Sequence, residues 1–391
     1  MKTSRLLRRM GVVLSIGLSA LMTGGGAALL GNCGPFTDVA QDVFCPFVLE
    51  IFYLGITTGT TATTYDPTSN VSRLQMAAFL SRTVDGVLKR GGRRAALDQF
   101  WTTQNSTVMG MTDVGTDPTL IAFDGADVWV ANEGTGTVSR VRASDGKLLE
   151  TWTGATAAWG VLVAMGKIIV TGEGQPSSLY QIDPSAAAGV VTTVATNLGD
   201  NAQGISFDGT RIWVGNVSSS SVSIVTPGAS LPWTVTTVTT GFDGPVGTVF
   251  DGSNIWIADN TGLLRKVDSS GAILQTVTLA VNGGEYPVFD GSNIWLPLSG
   301  GPALAVVRAS TGAVLATLTG NGIGADVKQA AFDGQRILVT SYFANTLSLW
   351  KAADLTPLGF VQMETIHPLG VCSDGVNFWI ALNIGHAIAR F

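Results

Sequence analysis

From Thr107 to the end of the chain, apolar and polar positions alternate in short runs with a period of two. That is the period of a pleated strand with one buried face. Val128 and Val130 alternate with Trp129 and Ala131, and the run that contains them recurs. Phe123-Asp-Gly-Ala-Asp-Val-Trp-Val130 returns as Phe207-Asp-Gly-Thr-Arg-Ile-Trp-Val214, and again from Phe250, Phe289, Phe332 and Ser373. A degenerate copy, Ala164-Met-Gly-Lys-Ile-Ile-Val170, fills the gap between the first two. The residues before the glycines are 124, 165, 208, 251, 290, 333 and 374, with spacings of 41, 43, 43, 39, 43 and 41. A fixed period near 42 marks a repeat architecture. Each repeat has the plan of the first: strand a over 119–123, an Asp124-Gly125 turn, strand b over 128–131, a polar loop over 132–136, strand c over 137–142, a turn at Asp145-Gly146, and strand d over 147–153. Gly supplies the positive φ that such hairpins need.

Four antiparallel strands per unit of this length make one β-propeller blade, so seven a–b hairpins predict seven blades. The last repeat stops at Phe391 after its strand c. The segment around 107–112 precedes the first strand a and belongs to no blade, so it is expected to supply the missing strand. Both termini then close the ring and leave no open edge. Trp recurs at one place in strand b, at 129, 213, 256, 295 and 379, with Ile169 and Leu338 in its stead. Recurrence at one structural place predicts packing between blades. Gly204, Gly247 and Gly370 fall in strand a, which should be the crowded innermost strand.

Residues 33–90 read differently. Apolar positions 47, 48, 51, 52 and 54 have helical spacing. Gly55 to Gly59 breaks that helix, and Tyr65-Asp-Pro67 opens a loop. Ser72-Arg-Leu-Gln75 has the form of a capping box, with Ser72 as N-cap. The landmarks Phe36-Thr-Asp-Val39, Gly55-Ile-Thr-Thr-Gly59, Tyr65-Asp-Pro67 and Val71-Ser-Arg-Leu-Gln75 resemble those of S-layer homology domains. They depart at Leu74 and Gln75, where that family has Ala and Glu, and a single copy is present. The resemblance implies a small α-helical domain that anchors the protein to cell-wall polysaccharide, with Arg73 and Asp38 as glycan contacts. A small helical spacer is the plainer alternative.

Composition agrees with strands. Hydrophobic residues are 46% and charged residues only 13%, with 49 glycines among 391 residues, which favours short strands and tight turns over helices. The formal charge is −6, and the first 28 residues carry four of the 22 basic residues and no acid. The rest therefore has 18 basic against 28 acidic residues, or −10. An acidic chain without a basic stripe argues against nucleic acid as a partner. Lys2 to Arg9, the apolar run 10–22 and the small residues 24–28 read as an export signal over 1–28, too short to span a membrane. Export makes a Cys33–Cys45 disulfide plausible, while Cys372 reads as a buried small hydrophobe. Lys89-Arg-Gly-Gly-Arg-Arg94 opens a linker over 91–106, and the propeller occupies 107–391.

Chemistry in a propeller belongs at the channel mouth, which the d–a and b–c loops build. Those loops hold Asp117, Asn132, Glu133, Trp159, Gln203, Asn216, Asp259, Glu285, Lys328, His367 and His386, with Asn260, Tyr286, Asp326, Tyr342, Asn345 and Asn383 beside them. No motif fixes a reaction, a cofactor or a metal. Asp117, Asn216, Asp259 and Glu285 could ring a Ca²⁺-type ion. His367 and His386, the two histidines, both fall in the seventh blade. The repeat Val128-Trp-Val-Ala-Asn132 with Thr137-Val-Ser-Arg-Val141 is similar to the YVTN family of surface β-propellers, and more weakly to streptogramin B lyase propellers. The reading is an exported, monomeric envelope protein, in the periplasm or at the surface, that binds a protein or small ligand at the channel mouth. A metal-dependent lyase or lactonase and a passive surface protein are the alternatives.

Overall fold

Every alternating run after residue 110 forms a strand, and the strands pair antiparallel into seven four-stranded sheets. The structure, a computed structural model, describes residues 35–39, 44–53, 56–90 and 110–391. The expected export signal, Cys33 with its bond to Cys45, and the linker over 91–106 lie outside the described residues. The chain divides into two compact units, Met1–Trp101 and Thr102–Phe391.

The second unit is a seven-bladed propeller. Blade 1 runs from strand a, Pro118–Phe123, through Asp127–Asn132 and Thr137–Arg142 to strand d, Leu148–Thr153. Blade 7 takes strands a to c from the C-terminus and its outer strand, Gly110–Asp113, from the start of the unit. Gly110 pairs with Arg390 and Asp113 with Ala387, so the ring closes as its sequence predicted. The five Trp residues of strand b are at most 1% exposed and pack between blades.

The Asp-Gly turns do more than reverse the chain. In blade 1 one carboxylate oxygen of Asp124 accepts the backbone N–H of Ala126 (2.9 Å) and Asp127 (2.8 Å), while the other accepts Trp129 Nε1–H at 2.8 Å. Asp208, Asp251, Asp290 and Asp374 hold Trp213, Trp256, Trp295 and Trp379 in the same way, at 2.7–2.8 Å. The carboxylate thus satisfies a buried indole donor that would otherwise be costly. The two exceptions support this account. In blade 6 Leu338 offers no donor, and Arg336 Nε donates to Asp333 instead, at 2.7 Å. In blade 2 Ile169 and Met165 replace Trp and Asp together, and a two-residue turn with both φ positive (Met165 +56°, Gly166 +69°) joins the strands.

Strand a is innermost and crowded. A Cβ on Gly204 would overlap the carbonyl of Val246, one on Gly247 that of Glu285, and one on Gly370 that of Thr119. In six of the seven inner strands the pairing with strand b skips a residue, a β-bulge at the same place each time. Blade 5 is the exception. Its strand a is reduced to Val288–Phe289, after Pro287, which has no N–H to give a ladder. Before it, Gly284 still bridges Leu298 and Glu285 N–H donates to the Pro297 carbonyl (3.1 Å) in their own sheet, but Tyr286 bonds to blade 6: its N–H donates to the Lys328 carbonyl (3.1 Å) and its carbonyl accepts Ala330 N–H (3.3 Å).

The first unit has helices at Cys45–Tyr53 and Arg73–Arg90. Phe36, Val39, Cys45 and Val48 are buried together, with Phe52 and Tyr65 against them. The capping box forms in both directions: Ser72 N–H donates to Gln75 Oε1 (2.8 Å) and Gln75 N–H to Ser72 Oγ (3.2 Å). Gly59 has φ +76°, and a Cβ there would strike the Phe36 ring.

Candidate functional site

The bulge in strand a is the device that aims side chains into the channel. Each bulge sets two residues opposite one, and in every bulged blade but the first, where Thr119 is buried, the first of them faces the axis. Those first residues include Trp159, Gln203, Val246, Lys328 and Leu369, and all five line one cavity of about 380 Å³. In four of these blades the second bulge residue is glycine: 160, 204, 247 and 370. The b–c loops add Glu133, Val217, Asn260, Tyr342 and Asn383, Asp326 comes from the loop before the inner strand of blade 6, and Glu285 and Tyr286 come from the residues just before the short inner strand of blade 5. Every blade therefore contributes to a single cup.

Tyr286 ties the cup together. It is 4% exposed and packs with Leu120, Val246 and Leu369, so the cup has an apolar base. Trp159 Nε1–H donates to the Tyr286 hydroxyl (2.6 Å), the hydroxyl donates to Gln203 Oε1 (2.7 Å), and Gln203 Nε2–H donates to Glu173 Oε1 (2.8 Å). Burial and the nearby Glu285 carboxylate hold the Tyr286 phenol well above its usual range, so it keeps its proton. This chain of bonds joins blades 2, 3 and 5 across the axis.

The charges fall into two groups. Lys328 Nζ lies between Asp326 (2.8 Å) and Glu285 (3.1 Å). Burial would depress the ammonium, but the two carboxylates hold it above its usual range. Burial pushes Glu285 up, and Lys328 offsets only part of that. Glu133 and Glu173 form the second group. Burial raises Glu133, and the Asp117 carboxylate adds to the shift. Burial pushes Glu173 up to about 7, Gln203 pulls the other way, and Glu133 raises it further. No ion pair reaches either Glu133 or Glu173 among the described residues.

The other expected mouth residues sit elsewhere. Asn132 and Asn216 are fully buried at the ends of their b strands, where each Nδ2–H donates to a hydroxyl of strand c, Ser139 (3.0 Å) and Ser223 (2.9 Å). Blade 4 replaces this pair with an ion pair, Asp259 with Arg265. These side chains join strands within a blade and do not face the cup, so Asp117, Asn216, Asp259 and Glu285 do not converge. Among the described residues no three His, Cys, Asp or Glu side chains come together as a metal would need. His367 stacks on Tyr342 (4.5 Å) and Phe343 (5.8 Å) of blade 6, whereas His386 Nδ1 accepts Asp117 N–H of blade 1 (3.2 Å). Neither lines the cup. Asn345 is structural too, its Oδ1 accepting the N–H of Ile366 (3.0 Å) and His367 (2.8 Å). Sequence reading missed Glu173, which lies one residue past strand b of the degenerate blade. The signal that was available is its place in the repeat, directly after strand b, which Glu133 holds in blade 1.

In the first unit Asp38 is a loop anchor: its carboxylate accepts Tyr65 N–H (2.9 Å) and Asp66 N–H (2.7 Å), which hold it below the usual carboxylate range. Arg73 is exposed at the start of its helix. Residues 35–77 match the S-layer homology domain family. They form an S-layer homology domain. This domain marks a protein of the cell envelope or surface, and such domains commonly bind cell-wall polymers. No described helix is long and apolar enough to cross a membrane. No curated protein matches the sequence.

The propeller is similar in fold to virginiamycin B lyase from Staphylococcus aureus, 16% identical with a TM-score of 0.61, covering 72% of this chain and 98% of that one. It is as similar to the WD40 β-propeller domain of Doa1, 14% identical with a TM-score of 0.61, covering 72% and 95%. Kuenenia stuttgartiensis hydrazine synthase also matches, 15% identical with a TM-score of 0.60, covering 72% and 97%. At these identities the likeness is one of fold alone.

Proposed function

We propose that this is an exported binding module: the S-layer homology domain tethers it to cell-wall polysaccharide, and the propeller offers its cup to a small polar ligand. The observation that carries the reading is the cup itself. All seven blades line one cavity of about 380 Å³, within the size range of small-molecule sites, with an apolar base and a few convergent polar groups. Its side chains are already bonded to one another, so a ligand would meet a preformed site and lose little free energy to ordering loops. The similarity of the repeat to YVTN surface propellers agrees with a place at the envelope. A lyase or lactonase has less support, because its histidine base would have to be His367 or His386, and neither lines the cup.

Two measurements test the two halves. The mature chain should sediment with purified wall sacculi and be released by soluble wall polymer; a chain that stays in the supernatant would end the tethering half. Ligand-observed NMR of a small-molecule library should give hits that Trp159→Ala abolishes. Hits that all survive that change would place the ligand site elsewhere.

A further inference from the structure

The cup has walls of two kinds. One is aromatic: Trp159, Tyr286 and Tyr342 line it from blades 2, 5 and 6. The other is anionic. Glu133, Glu285 and Asp326 line the cavity against a single cation, Lys328, which is already engaged by two of those carboxylates. Glu173 adds a fourth carboxylate through Gln203. Across the cup the Glu133 and Glu173 carboxylates act on each other and have no cationic partner among the described residues. A concave site with aromatic faces and uncompensated carboxylates matches a ligand that brings the missing charge on an apolar framework, since ring faces and carboxylates both attract a desolvated cation.

We propose that the ligand of the cup carries an organic cation, an ammonium or guanidinium group, seated between Glu133 and the aromatic wall. The inference rests on the cup being the ligand site and names the class of ligand it takes. A neutral or anionic ligand would leave Glu133 and Glu173 uncompensated in a partly dry cavity. An inorganic divalent ion fits less well, because no three carboxylate or imidazole groups converge among the described residues.

The probe is benzyltrimethylammonium, titrated calorimetrically into the mature full-length chain beside its uncharged carbon isostere, in which carbon replaces nitrogen. The cation should bind at least tenfold more tightly than the isostere. Glu133→Gln should weaken the cation at least fivefold and leave the isostere unchanged, with an unaltered melting temperature as the control on folding. Tyr342→Ala, in the aromatic wall, should weaken both probes. Binding should also fall between pH 8 and pH 6, because a cation favours ionised Glu173, whose carboxyl is pushed up to about 7, and acid removes that charge. Asp117, Glu285, Asp326, Lys328 and Tyr286 also face these groups. Equal affinity for the two probes, sensitive to Tyr342→Ala, would overturn the cationic class while leaving the cup as the ligand site. Tight binding of the cation that neither Glu133→Gln nor Tyr342→Ala touches would overturn the inference outright.

Discussion

The two ends of the propeller use the same chemistry over different distances. At the end where strands a and b turn, an Asp binds an indole five residues ahead in its own blade in five of the seven blades, as Asp374 does with Trp379. At the mouth, the bonds cross blades: Trp159 to Tyr286, Tyr286 to Gln203, Lys328 to Glu285 and Tyr342 to Asn383. The first kind repeats wherever strand b carries Trp, because each of those five blades must satisfy the same buried donor. The second kind does not repeat, because each partner belongs to a different blade. Repetition therefore marks scaffold here, and its failure marks the surface free to acquire a ligand.

The comparison can be strained first at its most non-local bond. Deleting 387–391 removes the strand that joins both ends of the chain and exposes two strand edges. The melting temperature should drop by more than about 10 °C, or cooperative unfolding should vanish. A truncated chain that melts like the parent would refute closure by the termini.

A local bond is the next test. Asp374→Ala leaves Trp379 Nε1–H and the backbone N–H of Val376 and Asn377 without their acceptor. Denaturant unfolding should show a loss of about 2–3 kcal/mol. Met165→Ala, at the same place in blade 2, should change stability by less than about 0.5 kcal/mol. Burial alone would raise Asp374, but the hydrogen bonds from Asn377 and the indole hold it below the usual range. A depressed folded value means the latch contributes fully above about pH 4, the unfolded value, and loses that contribution as pH falls through the folded one. Equal losses for Asp374→Ala and Met165→Ala would dissolve the distinction between the latch and an ordinary turn.

Tyr286→Phe should cost less, about 1–2 kcal/mol, because it removes one hydroxyl from the cross-blade chain and leaves the ring in its apolar layer. Its larger effect should be on ligand binding, through a misplaced Gln203 and Trp159. The smallest effect concerns Glu173. Its folded value, about 7, lies above the unfolded one, so ionising it opposes folding as pH rises from about 4.5 to 7. Glu173→Gln should flatten the stability profile over that interval and make the chain slightly more stable at pH 8. An unchanged profile would show that the carboxyl titrates normally.

Much of this protein could be read from its sequence because the governing contacts are short-range or periodic. The Asp-Gly-Trp runs fixed the number of blades, since a strand must alternate and a hairpin needs its turn. Phe36, Gly59 and Ser72 to Gln75 marked the S-layer homology domain through one close approach and one helix cap. The unpaired count of strands required closure. The mouth was legible only as a set of loops. Nothing in the residue types separates Asn132, which is turned into its own blade, from Glu133, which faces the cup. Pairing with strand c turns Asn132 inward, and in the inner strands a bulge, a register relation between two strands, aims the side chains. Tyr286 is the clearest case: no local pattern shows that its backbone would bond to blade 6 and its phenol reach Trp159 and Gln203, because these partners arrive only when the ring closes.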